Sequence, residues 1–162
     1  DLHSFPTRRS SDLGNCRNSV ADILLNAKYA ESRVNGIILS AHVDLPASLP
    51  MDTLDLCILL GNLLDNAIEA CKRIEDADAL RTISVRSGIK GTNLLLSISN
   101  TYNGVLRQNG GRYESLKKNR RVSGLGLFNV RDVVERHHGT MDIQHDENRF
   151  SISILLRLGE SA

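Results

Sequence analysis

The sequence predicts an α+β fold, with helices segregated on one face of a largely antiparallel sheet. Three observations carry that expectation. Apolar spacing switches along the chain between the three-to-four repeat of a helix and the two-residue repeat of a strand. The order that results is helix, strand, helix, hairpin, long loop, helix, hairpin. Composition is that of an ordinary globular domain: 162 residues, 41% hydrophobic and 24% charged. A chain of this length buries roughly two thirds of its unfolded surface, so neither a disulfide nor a structural metal is needed to hold it.

Asp1–Leu13, DLHSFPTRRSSDL, back-translates to a common short-read sequencing adapter in one reading frame. It is set aside as an artefact with no fold, and the natural protein is expected to continue upstream of Gly14. Its two arginines and two aspartates cancel, so the formal net charge stays at +1. The domain then runs over 14–162. Ser19–Asn35 carries Val20, Ile23, Leu24, Ala27, Ala30 and Val34 at helical spacing, with Gly36 where a C-terminal cap belongs. Ile37–Val43 reads as a strand, and Pro46 and Pro50 mark the loop after it. Asp52 is a good N-cap for a helix reaching about Ile74. Thr82–Ile89 and Asn93–Ser99 are strands joined by the hairpin signal Lys90-Gly91-Thr92. Residues 101–123 lack periodicity and read as a long mobile loop. It holds Arg107, Arg112, Lys117, Lys118, Arg120 and Arg121 against one acid, Glu114, a local charge of +5. A further helix runs from about Leu127 to His138 and stops at Gly139. Met141–His145 and Arg149–Leu158 form the last hairpin, with Phe150, Ile152, Ile154, Leu156 and Leu158 alternating inward.

Near-neutral charge gives no field that would draw nucleic acid or anionic lipid. No run of about 18 apolar residues occurs, so any membrane segment is expected outside this chain. Aromatics are only 4% with no Trp, which leaves the core to Leu, Ile and Val. Cys16, Cys57 and Cys71 are odd in number and lack paired metal spacing, as suits a reducing compartment.

On the helix from Asp52, the residues Asn62, Asp65, Asn66, Glu69 and Arg73 share one stripe, while Leu56, Leu60, Leu63, Leu64, Ala67, Ile68 and Cys71 cover the rest. Asn is a poor helix former. Two of them four residues apart between leucines suit a polar ligand, and their amide oxygens suit Mg²⁺. A solvated polar face is the other reading, and the stripe alone leaves both open. Gly124-Leu125-Gly126-Leu127 opens the later helix, where backbone N–H groups and the helix dipole favour an anion. It is neither a P-loop nor a Rossmann turn, since no Gly-Lys-Ser/Thr follows and the three-glycine pattern is absent.

Together these segments resemble a known family. Leu60–Cys71, LGNLLDNAIEAC, looks like the N box, and Ser123–Val130, SGLGLFNV, like the second glycine box, of the GHKL ATPases, which include gyrase, histidine kinases and MutL. Over Gly14–Leu158 the chain is similar to the ATP-binding domain of sensor histidine kinases of the Agr quorum-sensing type, a likeness that Asn15, Leu24–Lys28 and Gly36-Ile37 share. The resemblance implies a two-layer α/β sandwich of the Bergerat type, with ATP and Mg²⁺ held between the N-box helix, a basic lid over about Thr101–Ser123 and the glycine turn. It makes Asn66 the Mg²⁺ ligand. Asn62 stands where hydrolysing members keep a Glu as general base, and an amide cannot take a proton from water, so phosphoryl transfer is implied rather than hydrolysis. Asn100 takes the place of the adenine-binding Asp of the first glycine box, here Asn100-Thr101-Tyr102-Asn103-Gly104, in which the first Gly is also replaced. Glu69 stands where related kinases often have a Lys, and Arg73 is the substitute cation. Lys117 resembles the lid lysine that reaches the terminal phosphate and joins Asn62 as a catalytic position. Gly124, Leu125, Gly126 and Leu127 close on the phosphates.

The implied function is the catalytic half of a histidine autokinase in two-component signalling. Its acceptor His would sit on an upstream dimerisation helix that is missing here, which leaves the fragment inactive alone. The implied partners are that helix, a response regulator and a second copy in the full-length homodimer, with no nucleic acid. The implied place is the cytoplasmic side of a membrane-bound bacterial sensor. His137 and His138 read as helix-end residues favoured by the dipole, His42 and His145 carry no metal spacing, and Cys57 and Cys71 read as core. Two rivals remain: a GHKL serine kinase acting on an anti-sigma antagonist, and a degenerate GHKL module kept for protein interaction.

Overall fold

A computed structural model describes residues 16–109, 112–114 and 125–159, with side chains over 16–106 and 126–159. The artefact assigned to residues 1–13, and Asn15, Lys117 and Gly124, lie outside them. Helix α1 spans Ser19–Val34 and starts at Asn18, whose side chain accepts from Ala21 N at 3.1 Å. It ends as Gly36 predicts: Gly36 takes a φ of +66°, its N–H meets Arg33 O, and Ile37 N–H closes on Ser32 O. The buried face overlaps the one the apolar spacing predicts only in part: Val20 and Leu24 pack against the core, partly buried. Ala21, Leu25 and Ser32 point inward, whereas Ile23 is 69% exposed, Val34 87% exposed, and Ala27 and Ala30 also face out. α1 carries two apolar stripes, and periodicity alone cannot choose between them. The choice is made by tertiary contacts: Lys28, on the inward side, ion-pairs with Asp65 of the next helix.

Strand β1, Ile38–Val43, alternates in burial and leads to helix α2, Thr53–Lys72. Asp52 caps α2 by accepting from Leu54 N at 2.8 Å, a contact worth about 1 kcal/mol. Leu56, Leu59, Leu60, Leu63, Leu64 and Ile68 of α2 are all buried, each contributing roughly 2 kcal/mol of transfer free energy. β2, Thr82–Lys90, and β3, Asn93–Thr101, form the expected hairpin, with Gly91 turning at a φ of +62°. Within the segment that reads as a long mobile loop, β4, Arg107–Asn109, pairs antiparallel with β5, Arg112–Glu114. A three-residue strand is too short for a period to show.

Helix α3, Leu125–Arg136, begins two residues earlier than its apolar spacing indicates, because a helix start is set by backbone conformation rather than by the first inward side chain. Its end also differs: His138 takes the left-handed conformation, at a φ of 48°, and Gly139 N–H bonds Val134 O at 2.9 Å one position on. Gly139 is needed for closeness, since a Cβ there would fall 2.3 Å from Leu155 O. β6, Thr140–His145, and β7, Arg149–Arg157, complete a five-stranded sheet ordered β1-β2-β3-β7-β6, in which only β1 and β2 run parallel. Phe150, Ile152, Ile154, Leu156 and Leu158 are all buried, as their alternation predicts. α1 packs on β1, α2 on β2 and β3, and α3 on β6 and β7, so one sheet face is covered and the alternate residues stay outside. This is the two-layer sandwich expected. Among the described residues, no helix is long and apolar enough to cross a membrane.

Candidate functional site

The stripe of α2 lies at the boundary between core and solvent. Asn62, Asp65, Asn66, Glu69 and Arg73 are all half-buried, while Leu63, Leu64, Ala67, Ile68 and Cys71 beside them are buried. The fold brings the glycine turn onto this stripe. A methyl added at Gly126 would sit 3.5 Å from Asn62 Oδ1, so the first turn of α3 rests against the Asn62 amide. Backbone N–H groups at that helix start have no intrahelical acceptor, and with the dipole they suit an anion. Leu127 is buried beneath the turn, while the Leu125 side chain, like Lys117 and Gly124, falls outside the described residues.

The other end of the stripe meets β3. Cys71 Sγ is 3.3 Å from Thr101 O and 3.7 Å from Thr82 O, which brings the last turns of α2 to the end of β3. Asn100 is 1% exposed there, on the same sheet face as Leu94, Leu96 and Ile98. Its Nδ2 donates to Thr101 O at 3.0 Å. A carbonyl can only accept, so that bond fixes the amide and leaves Oδ1 as its acceptor end. Tyr102, where the usual pattern has its first Gly, is buried, bonds Asp146 O through its hydroxyl and stacks edge-on with Phe150 at 6.2 Å.

Arg73 caps α2 seven residues after Asn66, about 10 Å of helix further from the glycine turn. Burial pulls its guanidinium below the usual value, against the attraction of Glu69 one turn back. It stands at the Asn100 end of the stripe, away from Gly126. Asp65 is taken by Lys28, which also meets Glu31 at 3.0 Å. Burial would lower the Lys28 pKa, but the two carboxylates outweigh it and hold the amine above its usual value.

Sequence reading missed the link at the far end of the helix pair. Asp55, 5% exposed in the first turn of α2, accepts from Arg136 Nη1 at 2.9 and 3.2 Å and lies 2.8 Å from His137 Nε2. No local pattern could show it, because the partners are about eighty residues apart. His137 is thus engaged with a carboxylate as well as placed at a helix end, whereas His138 and His42 are exposed. Cys71 is core as expected, but Cys57 is half-buried. Burial would raise the Asp55 pKa; hydrogen bonds from His137 and Arg136 win and hold it below the usual carboxylate range. A depressed carboxylate contributes stability that is complete at neutral pH and lost as pH falls below roughly 4 toward the folded value. Asp55→Asn should therefore lower stability by about 2 kcal/mol at pH 7. Denaturant unfolding at pH 7 and at about pH 3 checks this, and the gap from the parent should narrow in acid.

A groove of about 560 Å³ lies on the sheet's other face, lined by His42, Arg86, Ser97 and Ser153 among others, and no residue of the α2 stripe borders it. No three His, Cys, Asp or Glu side chains form a metal cluster among the described residues. Mg²⁺ held through one protein oxygen, with phosphates and water completing its shell, requires no such cluster.

Residues 51–157 match the GHKL domain family. The chain is 28% identical to a probable C4-dicarboxylate sensor kinase of Bacillus subtilis (strain 168), an alignment covering 90% of this chain and 28% of that relative. It therefore spans little more than a quarter of the length of the curated relative it matches. Among solved structures it is similar to the catalytic domain of histidine kinase ThkA, with a TM-score of 0.65, 18% identity, and coverage of 86% of this chain and 90% of that one. The histidine kinase AdeS of Acinetobacter baumannii gives a TM-score of 0.63 at 18% identity, covering 88% of this chain and 64% of that one. Full-length ShkA in complex with AMPPNP gives 0.61 at 16% identity, covering 96% of this chain and 32% of that one.

Proposed function

The chain belongs to the GHKL domain family, and from that premise we propose that it is the ATP-binding catalytic domain of a sensor histidine kinase. The observation that supports the reading is the closeness of Gly126 to Asn62, which brings two motifs far apart in sequence against each other. In this reading the nucleotide lies along α2. Its base would meet the acceptor end of Asn100, which Thr101 O holds in place. Its phosphates would lie toward Gly126, with Asn66 as the protein ligand of Mg²⁺ and Asn62 beside the helix start. Bound Mg²⁺ would neutralise phosphate charge and orient the terminal phosphoryl group. Arg73 would serve the base end rather than the terminal phosphate, given its distance from Gly126 along α2. Lys117, Gly124 and Leu125 complete the site as lid cation and phosphate-closing turn.

Asn62 favours transfer over hydrolysis, since its amide holds no basic pair for water. The fixed acceptor of Asn100 favours nucleotide binding over a degenerate interaction module, even though Tyr102 replaces a glycine. The acceptor would be a His on a dimerisation helix of the same protein, with a response regulator downstream, in a homodimeric, membrane-bound bacterial sensor whose catalytic part is cytoplasmic. The Agr quorum-sensing type remains our subfamily assignment, and Asp1–Leu13 our assignment as an artefact without a fold. Calorimetric titration with ATP tests the reading: Mg²⁺-dependent binding is expected, unchanged on deleting residues 1–13. A chain that binds no nucleotide with or without Mg²⁺ contradicts it.

A further inference from the structure

Two polar contacts between α2 and α3 lie far apart along the helix pair. At one, the first turn of α3 meets Asn62; at the other, Asp55 receives Arg136 and His137 from the last turn and cap of α3. Between them lie Leu127, Val130, Val133 and Val134, all buried. Apolar packing is non-directional, so it fixes the separation of two helices better than their axial register. Slippage by one turn would shift α3 by about 5.4 Å and carry Gly126 off Asn62. Hydrogen bonds are directional, and those to Asp55 come from two residues at once. The charges also suit both helix ends, with the Asp55 carboxylate at the start of α2 and the Arg136 guanidinium at the end of α3.

We infer that Asp55 is a positioning residue, which through Arg136 and His137 holds α3 in the register that seats the Gly126 turn on Asn62. It touches neither nucleotide nor metal. Its role rests on the function proposed above only in its consequence for affinity, because the register itself is a property of the free domain. Arg136 also pairs with Asp132 on its own helix at 3.1 Å, an alternative that would hold its guanidinium once Asp55 is removed.

Two readouts on the full chain test this. In Asp55→Asn, amide hydrogen exchange without nucleotide should speed up about tenfold at 126–130 through local opening, while β3 and β7, which open only with global unfolding, change no more than the loss of stability measured by denaturant requires. Titration with Mg-ATP should show affinity falling by about tenfold. Arg136→Lys, which keeps a charged donor, should restore most of both relative to Arg136→Gln. If Asp55→Asn gives no cooperative unfolding transition, Arg136→Gln takes its place under the same criteria, its side chain being 49% exposed. Unchanged exchange at 126–130 with affinity within about twofold of the parent overturns the inference. So does exchange at 126–130 that rises only in step with global unfolding, as in β3 and β7, with no local opening, the mark of a merely structural residue. A parent chain that fails to bind Mg-ATP refutes the functional reading instead, while the exchange arm still judges the register.

Discussion

Asn66→Ala is expected to abolish Mg²⁺-dependent nucleotide binding while the domain stays folded. Asn66 is half-buried on the boundary stripe of α2, so truncating it opens no cavity among the leucines. Ala is also the better helix former by roughly half a kcal/mol, so thermal stability should hold or rise slightly. The loss should appear only in the ligand. A Mg²⁺ ion with one protein ligand has no second side chain to fall back on, and the affinity measured with Mg²⁺ should drop to that measured with chelator. A fall of about a hundredfold, near 3 kcal/mol, is the scale expected for losing an ion that bridges phosphate to protein. Calorimetric titration of parent and variant, with and without Mg²⁺, measures it. An affinity in Asn66→Ala equal to the parent's would remove the metal assignment, and a parallel loss without Mg²⁺ would move Asn66 to nucleotide contact alone.

Much of the architecture was legible because local chemistry and fold agree. Asp52 and Gly36 are chemically suited to begin and end helices, and they do so. The alternation from Phe150 to Leu158 fixes a buried strand face with no competing period. The stripe of α2 was legible for the same reason, since its polar residues interrupt leucines at helical spacing. α1 was misread because Ile23, Ala27, Ala30 and Val34 offer a stripe as regular as the one that is buried. The contact of Lys28 with Asp65 and the burial of Ala21, Leu25 and Ser32 distinguish the two. Asp55 was invisible as a ligand of Arg136 and His137 because the pairing depends on the antiparallel packing of two helices, which no window of sequence contains. At the end of α3, His138 holds the left-handed position while Gly139 is kept for its closeness to Leu155 O, so the glycine marks the stop without itself taking the left-handed conformation.

In the reading proposed above, this domain holds ATP and its γ-phosphoryl group passes to a histidine elsewhere in the protein, leaving ADP. Holding donor and acceptor on linked domains turns a bimolecular step into an effectively intramolecular one, worth an effective molarity of up to about 10⁵–10⁸ M in well-oriented cases. The domain alone should therefore bind ATP without labelling itself. It should also release little phosphate, because Asn62 stands where a water-activating carboxylate would be required. Incubation with γ-labelled ATP measures both, first on the chain alone and then on the chain joined to a dimerisation helix bearing an acceptor His. No label is expected on the first and an acid-labile, base-stable label on the second. Acid-stable labelling of the chain or of an added serine substrate, or rapid release of free phosphate, would contradict that reading.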